Sequence, residues 1–348
     1  MRPTLAPALE RARNYPRFRF MGSKQRLLPW LHETFSKLDF DTALDGFSGS
    51  GCVAYLLKSM GVQVTTNDFL NFTATLARAL IENAETVVSE VELEGLLEDR
   101  ADRDDFVERT FRGIFYTPED LRFLDRVWSN LGALSSPYAR DLALSALLRA
   151  CVKRQPRGVF TVAGDPERYK DGRRDLRLSL EEHFREQVAV YRDSVFDNGR
   201  RNRALHGDVF SVPPVGFDLV YLDPPYVPRA DDNCYVKRYH FLEGLSCYWQ
   251  GVEILHESKV RKLAKPYTPF SYRKGALEAF ERLFDRFRRS TLVLSYSSNG
   301  YPELDALVAA MERVKARVEV HQRPHRYHFG THGAVKRSAV QEYLIVGR

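Results

Sequence analysis

The tetrapeptide Asp223-Pro224-Pro225-Tyr226 brings a carboxylate, a proline carbonyl and an aromatic ring together within four positions. Proline gives up its N–H donor but keeps its carbonyl acceptor. Asp223 can therefore accept one N–H of an amine and the Pro224 carbonyl the other, while Tyr226 offers a face for stacking. This chemistry suits capture of a flat ring that carries an exocyclic amine. The preceding run, Phe217-Asp218-Leu219-Val220-Tyr221-Leu222, reads as a buried strand. The motif is thus expected at the carboxyl end of a strand, where open α/β sheets bind ligands.

A second group lies upstream, in Asp45-Gly46-Phe47-Ser48-Gly49-Ser50-Gly51. Glycines at a strand-to-helix turn allow close approach of the backbone to a ligand. Residues 52–60 then read as a helix, with Gly61 as its cap. Gly49-x-Gly51-x-x-Ala54 also fits a dinucleotide fingerprint, with Asp68 where a ribose-binding acid belongs. A nucleotide-like cofactor is the functional reading, and a packing turn the bland one. Asp45, Asp68, Asp208 and Asp223 end four consecutive strand candidates. In a parallel sheet these ends share one rim.

The elements that must hold these groups are strands at 42–47, 62–67, 204–209, 217–222, 291–296, 317–321 and 340–346. Most alternate with helical patterns, which predicts a doubly wound, parallel α/β sheet. The spacing breaks once. Residues 71–199 show helical periodicity, as in Ala143-Leu144-Ser145-Ala146-Leu147-Leu148, and few strand signals. Such a stretch is too long for an ordinary crossover and is expected to form an inserted helical subdomain. The remainder, 1–70 and 200–348, would form the main domain.

The chain's 348 residues include 44% apolar residues, enough for a large core. No run approaches the roughly 20 apolar residues of a membrane helix. The start, Met1-Arg2-Pro3-Thr4, has no signal-peptide core, so a cytoplasmic protein is expected. Cys52, Cys151, Cys234 and Cys247 make no C-x-x-C pair and read as reduced thiols, with no metal site expected. The net charge of +6 suggests a polyanionic partner.

Three pieces together resemble a known family, the Dam-like D12 class of adenine-specific DNA N6-methyltransferases, in which the cofactor motif precedes the catalytic one. Phe20-Met21-Gly22-Ser23-Lys24 resembles its N-terminal aromatic-x-G-[GS]-K motif. Asp45 to Gly51 resembles its cofactor loop, and Asp223-Pro224-Pro225-Tyr226 matches its catalytic motif in full. Lys336-Arg337-Ser338 with Glu342-Tyr343-Leu344-Ile345 is similar to the family's ending. The resemblance implies a Rossmann-like methyltransferase fold with a mostly parallel seven-stranded sheet and S-adenosylmethionine as cofactor. Phe20, Gly22, Ser23 and Lys24 would contact the methionine part, with Lys24 on its carboxylate. Asp45 would lie near its ammonium, within the loop Gly46, Phe47, Gly49 and Gly51. Asp68 would accept the ribose hydroxyls and Asp208 the cofactor adenine's amine, with Asp223 beside the reacting groups. Asp223, Pro224 and Tyr226 would act on an adenine flipped out of duplex DNA, by direct in-line attack. The aspartate at the head of the motif, where related cytosine enzymes carry serine, favours adenine. The insertion would carry target recognition.

For DNA contact, residues 149–177 hold nine basic residues against four acidic ones, including Lys153, Arg154 and Arg157. Arginine serves both phosphate contact and guanine readout. Lys237, Arg238 and Tyr239, in a stretch where aromatics alternate with bases, suit a flipped nucleotide and its flank, or a short helix's core. His325-Arg326-Tyr327-His328-Phe329 with His332 reads as a basic DNA-facing loop. The expected protein is a monomeric restriction–modification methylase acting separately from any cognate endonuclease. An RNA adenine methyltransferase, a silent DNA-binding subunit and an NAD-dependent enzyme are the alternatives.

Overall fold

The computed structural model describes residues 5–164, 172–228, 234–326 and 339–348. The histidine-rich stretch from Tyr327 to His332 and the run Lys336-Arg337-Ser338 lie outside these residues, as do Arg168 and Lys170 of the basic segment.

Nine strands occur among the described residues: β1 (Thr42–Asp45), β2 (Gln63–Asp68), β3 (Arg203–His206), β4 (Leu219–Leu222), β5 (Val227–Pro228), β6 (Thr291–Ser297), β7 (Gly300–Tyr301), β8 (Val318–Arg326) and β9 (Ala339–Gly347). Seven form one sheet in the order β3-β2-β1-β4-β6-β9-β8. The first five are parallel neighbours. β9 runs antiparallel between β6 and β8. β4 is buried at every position, which explains its unbroken apolar sequence: a parallel strand covered on both faces has no polar side to show. β5 and β7 make a separate antiparallel pair just past the tetrapeptide.

All seven predicted strands are present, with shifted ends. The first stops at Asp45: Gly46 still donates its N–H to the carbonyl of Tyr221 on β4 (3.0 Å), and the chain then turns into the glycine loop. The third stops at His206, because the Asp208 side chain caps the following turn instead of extending the ladder.

Helices α1 (Leu5–Arg13) and α2 (Leu28–Phe35) precede β1, and α3 (Cys52–Ser59) leads to β2. Between β2 and β3 come α4 (Asn71–Ala77), α5 (Glu90–Leu97), α6 (Phe106–Phe111), α7 (Pro118–Asn130), α8 (Pro137–Arg154), α9 (Arg174–Arg177) and α10 (Leu180–Arg192). α11 (Tyr235–Cys247) and α12 (Arg273–Arg286) follow β5, and α13 (Leu304–Glu312) follows β7. No helix among the described residues is long and apolar enough to cross a membrane.

Local sequence sets these boundaries. Ser89 with Glu92, and Ser179 with Glu182, form reciprocal capping boxes at the starts of α5 and α10. α8 is apolar around most of its circumference and is buried accordingly, packed against α10 and α4. One apolar cluster joins the inserted helices to one face of the sheet through Tyr221, Val293 and Leu344. A second cluster, built on Leu44, Val220, Leu292 and Ile345, lies under α12 and α13.

Inside the insertion, Arg154 donates from Nε to Asp120 Oδ2 (3.0 Å) and from its terminal nitrogen to the Leu176 carbonyl. Asp120 Oδ1 accepts the Leu180 amide at 2.9 Å. Both side chains are buried. Removing one partner of a buried pair leaves an uncompensated charge, costing about 3–5 kcal/mol. Asp120→Ala should therefore lower the free energy of unfolding by about that amount in denaturant titration, and Asp120→Leu with Arg154→Met should recover part of the loss.

Candidate active site

The chain steps from β1 outward to β2 and β3, then returns to β4 on the other side of β1. The connections after β1 and β4 diverge at this reversal and leave a crevice at the carboxyl ends. Asp45 ends β1, and Asp223 follows β4 directly.

The glycine loop is tied down along its length. Ser48 donates its amide to the Asn67 carbonyl (3.0 Å) and Gly49 to Asp68 Oδ2 (2.7 Å). Asn67 reaches Gly46 and Gly207 carbonyls with one side-chain amide (3.3 and 3.1 Å). Gly49 has φ +49°, and a Cβ there would stand 3.0 Å from the Phe20 ring. Gly51, at φ +78°, starts α3, and a Cβ there would collide with the Tyr15 hydroxyl at 2.4 Å. Both positions need glycine for conformation and for space.

The N-terminal segment forms the facing wall. The Phe20 ring stacks on Tyr239 (5.1 Å, 8°) and on Tyr235 (5.2 Å, 22°). Met21 donates its amide to the Tyr239 hydroxyl at 2.7 Å. Ser23 and Ser50 hydroxyls meet at 3.1 Å. Lys24 lies 2.9 Å from Asp223 Oδ1 and donates to the Gly22 carbonyl (3.2 Å).

One cavity is lined by Phe20, Gly22, Ser23, Lys24, Asp45, Phe47, Gly49, Asp68, Asp223 and Pro225, together with Tyr235, Lys265, Pro266, Thr268 and Ser271. Most of the predicted site residues therefore meet in one place. Gly46 and Gly51 shape the loop from behind it. Pro224 is buried, and Tyr226 stands beside the cavity with its ring edge-on to Tyr296 (5.4 Å, 61°). A Cβ on Gly300 would fall 3.0 Å from Tyr226, so this glycine lets β7 lie against the ring.

Three carboxylates share this cavity. Asp45 is 1% exposed, and neither of its oxygens makes a well-formed hydrogen bond, the Phe47 and Ala54 amides exerting only a minor pull. Burial, then the charges of Asp223 and Asp68, push its carboxyl well above the usual range. Burial also raises Asp68, against the pull of the Leu70 and Gly49 amides, and raises Asp223, against the pull of Lys24. For Lys24, burial disfavours the ammonium, but Asp223 and Glu342 outweigh it and hold the lysine charged. A buried, unpartnered carboxylate beside a glycine turn fits the ammonium end of an amino-acid-bearing nucleotide.

Four predictions need correction. Asp208 is exposed, lies outside the cavity lining, and accepts the Phe210 amide at 3.0 Å as the cap of a short turn. Arg154 is in the core with Asp120 and presents no charge to solvent. Lys153 is half-buried and pairs with Asp175 at 2.8 Å. Tyr239 is 1% exposed and stacks on Phe20, supporting that ring of the cavity wall, and is not a DNA-facing ring. Arg157 and Lys237 are exposed and Arg238 half-buried. Sequence reading missed the Lys24–Asp223 pair, the bracing by Asn67, and the segment from Lys265 to Ser271.

The reversal crevice and the glycine loop define a Rossmann-like α/β fold in which one cavity gathers Asp45, Asp68 and Asp223. The match is specific. The family model described as D12 class N6 adenine-specific DNA methyltransferase covers residues 20–291, and the chain belongs to that family. It is similar to the type II methyltransferase M2.HphI of Haemophilus parahaemolyticus, with 29% identity over 90% of this chain and 92% of the relative. The modification methylase LlaI of Lactococcus lactis subsp. lactis is 22% identical over 94% of this chain and 54% of its own length. The type II methyltransferase M.NlaIII of Neisseria lactamica is 22% identical, covering 84% and 87%.

The Lys24 ammonium favours the ionised form of Asp223, so its loss must raise that carboxyl further. In Lys24→Gln, the acid limb of the pH dependence of kcat/KM should move to higher pH than in the parent enzyme.

Proposed function

We propose that this chain transfers the methyl group of S-adenosylmethionine to the N6 amine of adenine in a specific double-stranded DNA sequence, as the modification enzyme of a restriction–modification system. The observation that carries this is the meeting of Asp223 and the unpartnered Asp45 in one cavity. The relatives' names as type II and modification methylases agree with it.

When bound, S-adenosylmethionine supplies an electrophilic methyl group. Asp45 would take its ammonium, the loop around Gly49 its methionine end, and Asp68 its ribose hydroxyls. Phe20, Gly22 and Ser23 would wall it in. Lys24 serves this site through Asp223, its ammonium favouring the ionised, accepting carboxylate against the burial that opposes it.

The target adenine must leave the duplex stack, at a cost of a few kcal/mol that stacking and hydrogen bonds offset. Tyr226 supplies the stacking face. Asp223 and the Pro224 carbonyl accept the two amine hydrogens. An adenine amine is a weak nucleophile because its lone pair is delocalised into the ring. Two acceptors favour the nitrogen as it becomes tetrahedral and positive, so they bind the transition state better than the ground state. The helical residues 71–199 would serve as the target-recognition subdomain.

With labelled S-adenosylmethionine and duplex DNA, Asp223→Ala and Tyr226→Ala should each lose at least about 100-fold in kcat with near-native circular dichroism. Undiminished turnover in either would refute the assignment. Asp45→Ala should chiefly weaken cofactor binding by calorimetry. Reversing exposed charges in Arg157→Glu with Lys237→Glu should flatten the salt dependence of DNA binding, whereas an unchanged slope would clear those residues of phosphate contact.

A further inference from the structure

The segment from Lys265 to Tyr272 has a feature that the methyl-transfer chemistry leaves unused. Tyr267 and Tyr272 stack in parallel (5.3 Å, 13°) although they are 69% and 40% exposed. Two large rings held in order against water, instead of buried, keep an apolar face available to a ligand. The Lys265 ammonium stands over the Tyr272 ring at 4.9 Å. Arg273 and Lys274 follow directly and are exposed.

This pair flanks the cavity, since Lys265, Pro266, Thr268 and Ser271 line it. It also connects to the tetrapeptide. Arg273 lies over the Tyr301 ring at 4.7 Å. Tyr301 is on β7 and pairs with Val227 of β5, the residue after Tyr226. A ligand reaching Tyr226 would thus pass beside the stacked tyrosines. Rings interleaved with cations suit a nucleobase with its phosphate: the base stacks, and the charges meet the backbone. Three neighbouring cations disfavour a basic or purely apolar protein partner.

We propose that the Tyr267–Tyr272 stack is a docking platform for a nucleotide next to the methylated adenine, with the base on Tyr267 and the phosphate towards Lys265, Arg273 and Lys274. This rests on the reading of the chain as a DNA adenine methyltransferase, and assigns the flanking strand a place outside the cavity. Tyr267 is a positioning residue for DNA and touches no reacting atom.

The test is steady-state kinetics on long duplex DNA of mixed sequence, comparing the parent enzyme with Tyr267→Ala and Tyr267→Phe. Stacking one base is worth enough that its loss should raise KM for DNA about tenfold. kcat and the calorimetric affinity for S-adenosylmethionine should stay within about twofold of the parent, and Tyr267→Phe, which keeps the ring, should behave like the parent. An unchanged KM in Tyr267→Ala overturns the platform. So does a loss of kcat and thermal stability at constant KM, which would assign Tyr267 to holding the start of α12. If the parent transfers no methyl to DNA, the proposed function fails separately. The platform is then judged by anisotropy on a fluorescent duplex: about tenfold weaker binding by Tyr267→Ala sustains it, and equal binding overturns it.

Discussion

The reversal of chain direction across the β1–β4 pair governs the rest of this molecule. β1 hands the chain outward to β2 and β3, and the next strand to return lies on its other side. The connections after β1 and β4 diverge there and leave a crevice at their carboxyl ends. A hydrogen bond from Gly46 to the Tyr221 carbonyl fixes the glycine loop against β4 at that point. Motifs that are nearly 180 positions apart in the chain therefore face one space.

That space is electrostatically costly when unfilled. Burial and mutual repulsion disfavour charge on the acids that share it, Asp45 above all, and Lys24 is already engaged by Asp223. The cavity is complementary to a cationic guest, which would favour the ionised form of these acids. The remainder of the fold offsets this locally inconsistent arrangement with features that agree with one another, including the two capping boxes, the enclosed α8 and the Asp120–Arg154 network.

Much of this was legible in the residues. Strands buried on both faces announce themselves as apolar runs, and Gly49 and Gly51 stand where only glycine fits. The Asp223 motif carries its chemistry in adjacent positions. What was hidden lies in long-range pairing, which leaves no local pattern. Arg154 looks like part of a basic loop until Asp120, 34 residues earlier, is found beside it. Tyr239 looks like a DNA-facing ring because alternating bases and aromatics suit either surface or core, and only Phe20 decides. Asp208 follows a strand as the other acids do, but a turn two residues later draws its side chain away.

The bond from Met21 to Tyr239 spans 218 positions of the chain, and the Phe20 stack spans as many. One wall of the cavity is therefore knit from segments that lie on either side of the long run of helices between β2 and β3. Closing a loop of that length carries an entropic cost that the packing on both sides must offset. A partly folded molecule has the motifs but no enclosed cavity. The enclosure of the cavity therefore depends on two distant segments, and loss of either would open its wall while leaving both motifs intact.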